Sequence, residues 1–433
     1  MTINLQTALF DMPMMLGLFP NTLGFDDPKD RASPIAGSFC TNGLPKQIFL
    51  QLRLIPNVAF VFPGTDRYSL QCEVRSLRDT TKWHSTSTLF IHLVQQSYNI
   101  VAKVPYIVTK TGTVIEVPLQ HCFIFLGVET REEAAAFLFP PHIHMEPKLR
   151  HFLERVLQTF DTTVNPQQIR EMYAAKVDKP IEKVVSIFEY QFLCHCDYGA
   201  GNVSKLHFFS MCLRKIGMVH LGIKAADDRD HCQNKQVQCS GALLATLFRQ
   251  LWRNFLLELG TTLYKNMQVQ KNIDATMMLC SRSKFTSRLM HHFYTGQWSI
   301  QDPNSKNGYL QLKVETNDQS AVCILVHSPC FSLFLPLSLS PTLTRFLVFF
   351  DMQEAQLGKI SKNVKSETKN HGPRNLLGSY WGFLCSCDTP DGKQTGIVNV
   401  LANFARLSTG INVTLMARLV HATGMLADDF GEG

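Results

Sequence analysis

The sequence lacks the residue patterns that mark several common enzyme and metal sites. None of its thirteen cysteines forms the C-x2–4-C pair typical of structural zinc sites; the closest pairs, Cys194/Cys196 and Cys385/Cys387, have one residue between them. No phosphate-binding loop, dinucleotide fingerprint or Ser/His/Asp constellation is present. We therefore predict buried free cysteines and no zinc site, and a stand-alone enzyme with its own active site is disfavoured.

The sequence also lacks an uninterrupted apolar run long enough to cross a membrane. The longest apolar tract, Cys323–Phe350, is broken by three prolines and by Arg345. The Met1–Pro20 segment has no basic residue and contains Asp11, which is unlike a signal peptide. We expect no membrane span and no secretion, and hence reduced cysteines in the cytosol or nucleus.

Charged residues are also few, at 18% of the 433 residues, whereas hydrophobic residues make up 45%. These proportions are ordinary for a globular protein and exclude a wholly disordered chain. The length allows about two to four domains with sizeable cores. The formal net charge of +7 permits contact with nucleic acid but does not by itself demonstrate it.

The hydrophobic pattern changes from strand-like to helix-like along the chain. Short runs rich in β-branched and aromatic residues predict strands over Gln47–Val61, Tyr68–Val74, Thr86–Val94, Ile100–Ile107 and Thr113–Phe125. Thr130 and Glu133 have capping-box spacing before an alanine-rich run, which predicts a helix. Helical periodicity also predicts helices over Gly241–Leu259 and Ile273–Phe293. The pattern as a whole indicates an α+β fold.

The stretch from Arg374 to Gly396 contains the densest set of turn and acidic residues. Thr389-Pro390-Asp391-Gly392 predicts a tight turn, because proline fixes φ and glycine permits positive φ. Asp388 and Asp391 place carboxylates on this turn. Apolar residues from Ile397 to Leu407 recur at helical spacing, which predicts a helix after it. On these residues alone, a surface turn joining a strand to a helix is also a sufficient interpretation.

The same stretch resembles a signature of the second-largest subunit of multisubunit DNA-directed RNA polymerases. The matching residues, in order, are Trp381-Gly382, Cys385, Asp388-Thr389-Pro390-Asp391-Gly392 and Gly396-Ile397-Val398. In that family this turn lies beside the RNA–DNA hybrid and the incoming nucleotide. The resemblance therefore implies that Asp388, Thr389, Pro390, Asp391 and Gly392 lie near the nucleotide.

Two further blocks in collinear order resemble the same family. The first combines Cys72-Glu73-Val74-Arg75-Ser76, Ser85–Leu89 and Val104–Ile107. The second resembles the family's D-D-R-D-H segment and consists of Asp227, Asp228, Arg229, Asp230 and His231, followed by Lys235. The resemblance implies that this second block is structural and lies near the cleft. The residues alone suggest the same role, since alternating acids and bases form ion-pair networks.

The resemblance implies a multidomain architecture of protrusion, lobe and fork. The implied divisions are a first protrusion segment (1–128), the lobe (129–239), a second protrusion segment (240–275), the fork (276–404), and the start of an external region or a natural tail (405–433). Lys359, Lys362, Lys365, Lys369 and Arg374 fall in a polar loop of the fork. We predict that these basic residues contact nucleic-acid phosphates, although a solvated loop is the simpler interpretation of their chemistry.

The resemblance implies a component of an RNA polymerase rather than a complete enzyme. The expected partners are the largest subunit, a companion chain carrying the second half of the second subunit, the DNA template and the RNA–DNA hybrid. Mg²⁺ is expected in the assembled enzyme, with its ligands outside this chain. The implied location is the nucleus or, for a viral protein, the host nucleus or cytoplasm.

Some residues depart from the family pattern. Asn399 stands where the family has a lysine, Asp388 and Asp391 replace glutamates, and no arginine pair follows Asp351. These departures leave open a second interpretation, namely an inactive, degenerate relative that binds nucleic acid or a polymerase.

Overall fold

The computed structural model describes most of the chain between residues 11 and 407. The described residues are 11–13, 15, 39–41, 44–65, 67–78, 86–141, 144–161, 165–196, 202–268, 282–295, 297–298, 310–311, 314–316, 358–362, 364 and 371–407. The apolar tract Cys323–Phe350 therefore lies outside the described residues.

Fourteen strands and eight α-helices occur in these described ranges. The strands are β1 (Phe39–Thr41), β2 (Leu44–Ile48), β3 (Leu50–Leu54), β4 (Ala59–Pro63), β5 (Tyr68–Leu77), β6 (Thr86–Val94), β7 (Ile100–Val108), β8 (Val114–Pro118), β9 (Lys235–Gln238), β10 (Gln297–Trp298), β11 (Leu310–Gln311), β12 (Val314–Thr316), β13 (Lys359–Lys362) and β14 (Val398–Val400). The helices are α1 (Leu119–Phe125), α2 (Arg131–Leu138), α3 (Pro147–Gln158), α4 (Pro166–Val177), α5 (Ile181–Tyr190), α6 (Asn202–His220), α7 (Ser240–Gln268) and α8 (Arg282–Thr295). The predicted α+β class is confirmed.

The largest core forms where an antiparallel sheet packs against helices. Strands β4 to β8 pair in sequence order, and Cys72 and Val74 of β5 stand opposite Ile91 and Leu89 of β6. Successive residues of a strand point to opposite sides of a sheet, so these four side chains share one face. All four are buried. Helices α1 to α6 cover that face and contribute the rest of the core.

Helices α2 and α7 form where the sequence pattern predicted them. Thr130 accepts a hydrogen bond from the Glu133 amide (3.2 Å), and Glu133 bonds back to the Thr130 amide, so the predicted capping box is confirmed. The helix predicted over Gly241–Leu259 is α7, which extends further, to Gln268. Its Leu247 and Leu251 pack against α8 in a second core. The predicted helix Ile273–Phe293 is described only from Arg282 onward, as α8.

A smaller sheet joins distant parts of the chain, and it positions the candidate site. Its order is β14-β13-β3-β9, with β3 and β13 parallel and the other pairs antiparallel. A third core cluster, which includes Leu52, Ile360, Tyr380 and Leu384, covers this sheet. Consequently residues near positions 50, 237, 360 and 399 are neighbours in space.

Two predicted elements are wrong. Residues after Gly396 form strand β14 rather than a helix, because β13 pairs with Val398 and Asn399 and the Cys385 amide bonds to Val400. The strand predicted over Thr113–Phe125 stops at Pro118, and helix α1 begins at the next residue. Proline suits a helix start, since its φ is already helical and its missing N–H is not needed there.

None of the helices in the described ranges is long and apolar enough to span a bilayer.

A buried histidine, His92, and a half-buried one, His195, have lowered pKa values. His92 stacks on the Tyr68 ring (centroids 4.2 Å apart), and neither of its ring nitrogens has a hydrogen-bond partner among the described residues. Burial, assisted by the charge of Lys103, lowers the pKa of His92 to about 4. Burial also lowers the pKa of His195 to about 4, although its Nδ1 lies 3.0 Å from the Ser76 hydroxyl.

We expect the free energy of unfolding to fall as the pH drops from about 6.5 to about 4. In that pH window the histidines bind protons in the unfolded chain but remain neutral in the folded protein, so protonation favours unfolding. The histidines' contribution to the free energy of unfolding is therefore complete only above the pKa of the unfolded chain. Urea unfolding across the window measures the loss, and His92→Phe should remove part of it. The matched control is His151→Phe at an exposed histidine. An identical pH dependence in wild type and His92→Phe would contradict the assignment.

Candidate functional site

The acidic block around Asp230 and the motif stretch around Tyr380 pack directly on each other. Tyr380 is buried, and its hydroxyl donates to the Asp230 carbonyl oxygen. The same hydroxyl accepts a hydrogen bond from Lys235 Nζ (3.0 Å), which also pairs with Asp230 Oδ1 (3.1 Å). Ser379 Oγ accepts from the Cys232 amide (3.3 Å). Two sequence blocks that were recognised separately are therefore one structural unit.

Lys362 lies inside this unit rather than on its surface. Only 4% of the residue is exposed, and its Nζ donates to the Pro373 carbonyl oxygen (2.8 Å). The ammonium also lies 4.7 Å from the centre of the Tyr380 ring. Burial, together with the charge of Lys235, lowers the pKa of Lys362 to about 8. Because this ammonium faces the protein interior, we leave Lys362 out of the phosphate contacts that we propose below.

The acidic block also attaches to the edge strand β4 and to one face of the large sheet. Asp227 Oδ2 accepts from the Val61 amide (2.8 Å) and from Lys215 Nζ (2.6 Å). Arg229 pairs with Glu73 (2.7 Å), whose carboxylate is almost fully buried. These contacts connect the block to strands β4 and β5 and to helix α6.

Glu73 and Arg75, two residues of the first family-like block, form an ion pair. They lie two residues apart on β5 and pair at 2.7 Å, with Glu73 buried and shared with Arg229. Asp228 and His231 make local contacts, since each side chain accepts a hydrogen bond from an amide two residues later.

The Asp388–Gly392 loop is anchored at several backbone points. Thr389 Oγ1 donates to the Val398 carbonyl (2.9 Å) and accepts from the Gly396 amide (2.9 Å). Thr395 Oγ1 lies within hydrogen-bonding distance of the carbonyl oxygens of Pro390 (3.0 Å) and Gly392 (2.8 Å). The loop is therefore held in one shape by its own threonines.

Arg374 braces the same loop from outside. Its Nη1 donates to the carbonyl oxygens of Lys393 (3.0 Å) and Thr395 (2.9 Å). Sequence reasoning placed Arg374 among the phosphate-contacting residues. In the structure its guanidinium holds the loop, and this positioning role could not be inferred from the sequence.

The carboxylates of the loop face outward. Asp388 and Asp391 are exposed, and neither carboxylate has a hydrogen-bond or ion-pair partner among the described residues. Lys393, next to them, is exposed as well. Sequence reasoning passed over Lys393 although a basic residue inside the motif turn was a visible signal. The loop, held by Arg374, therefore presents two carboxylates and an ammonium group to solvent.

The prediction that Lys359 lies in a polar loop is wrong, because the residue begins strand β13. Lys359 is half-buried, with its Nζ 5.5 Å from the centre of the Phe49 ring. Lys365 and Lys369 lie outside the described residues. Their contact with phosphates stays a prediction.

The cysteine pairs have different environments. Cys194 and Cys196 are buried, as predicted, and burial raises the pKa of both thiols. Cys387 was also predicted to be buried, which is wrong, because it lies on an exposed turn. Within the described residues no group of three or more His, Cys, Asp or Glu side chains could hold a metal ion.

Comparison with known proteins supports the resemblance. Residues 354–407 match the family model "RNA polymerase Rpb2, domain 3". The chain is 22% identical over 413 residues to DNA-directed RNA polymerase subunit Rpo2 of Saccharolobus shibatae, covering 93% of this chain and 31% of that protein. It is 24% identical to DNA-directed RNA polymerase II subunit 2 of Arabidopsis thaliana, covering 86% of this chain and 30% of the relative. It is 26% identical to that plant's RNA polymerase III subunit 2, covering 70% of this chain and 26% of the relative.

Over most of its length the chain is similar to second subunits of multisubunit DNA-directed RNA polymerases. The resemblance implied by the motifs is therefore confirmed. The chain spans about 31% of the length of the first curated relatives that it matches.

Proposed function

We propose that the chain is a component of a DNA-directed RNA polymerase and corresponds to the N-terminal region of its second-largest subunit. The observation that carries this proposal is the braced, solvent-facing Asp388–Gly392 loop within the segment that matches the polymerase family model. The protrusion, lobe and fork divisions given above belong to the same proposal.

In this proposal the loop lines the nucleotide side of the cleft. Asp388 and Asp391 present carboxylates that a bound nucleotide or a neighbouring subunit can contact, because no described side chain occupies them. Lys359, Lys393, Lys365 and Lys369 border the DNA, where ammonium groups contact phosphates without reading sequence. Arg374 acts indirectly, as the brace of the loop.

The proposed partners are the largest subunit, a polypeptide carrying the rest of the second subunit, the DNA template and the RNA–DNA hybrid, with no membrane. In such polymerases Mg²⁺ supplies charge stabilisation for nucleotidyl transfer. We propose, as the family resemblance implies, that its ligands belong to the largest subunit; among the described residues of this chain, no group of three or more His, Cys, Asp or Glu side chains could hold a metal ion. The proposed location is the nucleus or, for a viral protein, the host nucleus or cytoplasm.

Affinity purification of the tagged chain from its native host, followed by mass spectrometry, tests the proposal. We expect a polypeptide similar to a largest polymerase subunit to be recovered in near-equal amount. Reproducible recovery of the chain alone would count decisively against it.

Loss of the two loop carboxylates is expected to reduce RNA synthesis without releasing the partners. In the purified complex, the double variant Asp388→Asn/Asp391→Asn should lower the rate about tenfold or more, because both carboxylates lie on the proposed nucleotide side. The control is Asp178→Asn, which removes one partner of an exposed ion pair with Lys110 (3.0 Å). Equal rates for the double variant and the control would refute the proposed role of the loop.

One observation favours the alternative, an inactive relative that binds nucleic acid or a polymerase. Asn399 replaces the family's lysine, and it is buried on β14 with its amide oxygen unpaired among the described residues, so this position offers no cation to a substrate. A recovered complex that binds DNA but synthesises no RNA would support the alternative.

A further inference from the structure

An apolar surface lies next to the motif loop and is absent from the proposed nucleic-acid contacts. We call it the Trp381 patch and define it as Leu376, Trp381, Phe383 and Phe404. Their exposed fractions are 60%, 80%, 58% and 96%. Leu384 bridges to Leu401, and the Ala402 amide donates to the Phe383 carbonyl (3.0 Å), so residues 381–384 lie beside residues 401–404. The exposed aromatics therefore belong to neighbouring segments.

A cavity of about 190 Å³ opens within this patch. Its walls are mostly apolar and uncharged, formed by Leu376, Leu377, Gly378, Tyr380, Trp381, Leu384 and Ser386. The turn that presents Trp381 depends on Gly382, which has a φ of +81°. A small apolar cavity beside an exposed tryptophan is the usual form of a protein-binding hot spot, because one anchor side chain fills it.

The composition of the patch favours a polypeptide over a nucleic acid as its occupant. Surfaces that stack single-stranded bases combine aromatic rings with a positively charged groove along the backbone. The leucines and the uncharged cavity wall offer no positive charge to a phosphate. Monomeric proteins rarely expose adjoining large apolar side chains unless these form an interaction site.

We infer that the Trp381 patch is the docking surface for the polypeptide that carries the remaining portion of the polymerase second subunit. The patch lies wholly within the 354–407 match, and the relatives continue to about three times the length spanned here, so they have further chain available to cover this surface. The occupant inserts an apolar side chain into the cavity beside Trp381. This inference rests on the proposed function.

The test compares a patch variant with a control variant in the same purification from the native host. The patch variant is Trp381→Ser/Phe404→Ser, and the control is Tyr190→Ser/Tyr264→Ser, whose tyrosines are 60% and 64% exposed elsewhere on the molecule. The probe is the polypeptide that mass spectrometry identifies as similar to the uncovered portion of second subunits. We expect its recovery to fall about tenfold or more with the patch variant and to stay within about twofold with the control. Thermal unfolding of the isolated variants should match wild type, since the replaced side chains are exposed.

Three outcomes would overturn the docking surface or the proposed function. If wild type and the patch variant recover equal amounts of the probe, the proposed docking surface is refuted and the proposed function is unaffected. A patch variant that keeps the probe but loses binding to single-stranded RNA would also overturn it, in favour of base stacking. A wild-type chain that recovers no polymerase polypeptide would overturn both proposals.

Discussion

Replacing Tyr380 by alanine is expected to lower the free energy of unfolding of the small-sheet unit by about 3–5 kcal/mol, the usual cost of removing a buried aromatic ring. The ring is 1% exposed and fills the core over β3 and β13. Its loss also leaves Lys362 without the ring that it packs on, and Lys235 without the hydroxyl acceptor. Urea unfolding of the purified variant measures the effect.

Two companion variants separate the ring from the hydroxyl. Tyr380→Phe keeps the ring and removes only the hydrogen bonds to Asp230 and Lys235, so we expect a smaller loss of about 1–2 kcal/mol. Tyr190→Ala removes an exposed ring and should cost less than about 0.5 kcal/mol. A Tyr380→Ala variant as stable as Tyr190→Ala would show that the two sequence blocks do not depend on each other.

Replacing Gly396 by alanine is the second large perturbation, with an expected loss of about 2–4 kcal/mol. Gly396 has a φ of +70°, which costs an L-residue about 1–2 kcal/mol. An added Cβ would also lie 2.3 Å from the Arg374 carbonyl oxygen and 2.8 Å from the Arg374 Cα. Backbone atoms cannot move aside as a flexible side chain can, so the loop or its brace has to shift.

The matched control is Gly382→Ala. Gly382 has a similar φ of +81°, but an added Cβ would meet nothing within 4 Å. We therefore expect only the conformational cost of about 1–2 kcal/mol there, without the added clash. Equal losses at the two glycines would mean that the close approach of Arg374 is not rigid. Urea unfolding reports stability, and RNA synthesis by the complex reports the loop geometry.

The sequence predicted local features well where one physical signal dominated. The apolar stripe of α7 and the capping box at Thr130 are local patterns, and both formed as predicted. Runs of β-branched and aromatic residues likewise predicted strands over Tyr68–Val74 and Thr86–Val94, and β5 and β6 formed there.

The failures share a physical cause, which is long-range pairing. Nothing in the local sequence shows that Val398–Val400 will pair with β13, so helical spacing predicted the wrong element. The sequence pattern placed Lys362 in a polar loop. In the structure the parallel pairing of β13 with β3 directs its side chain toward Tyr380. Arg374 likewise holds the loop only because the loop backbone folds back to place the Thr395 carbonyl oxygen beside its guanidinium.

The measurement that tests the account most directly is RNA synthesis by the complex purified through the tagged chain. We predict RNA synthesis that depends on both a DNA template and Mg²⁺, with a rate lowered by Asp388→Asn/Asp391→Asn and unchanged by Asp178→Asn. A complex that contains the largest subunit and this chain, binds template and makes no RNA would contradict the account.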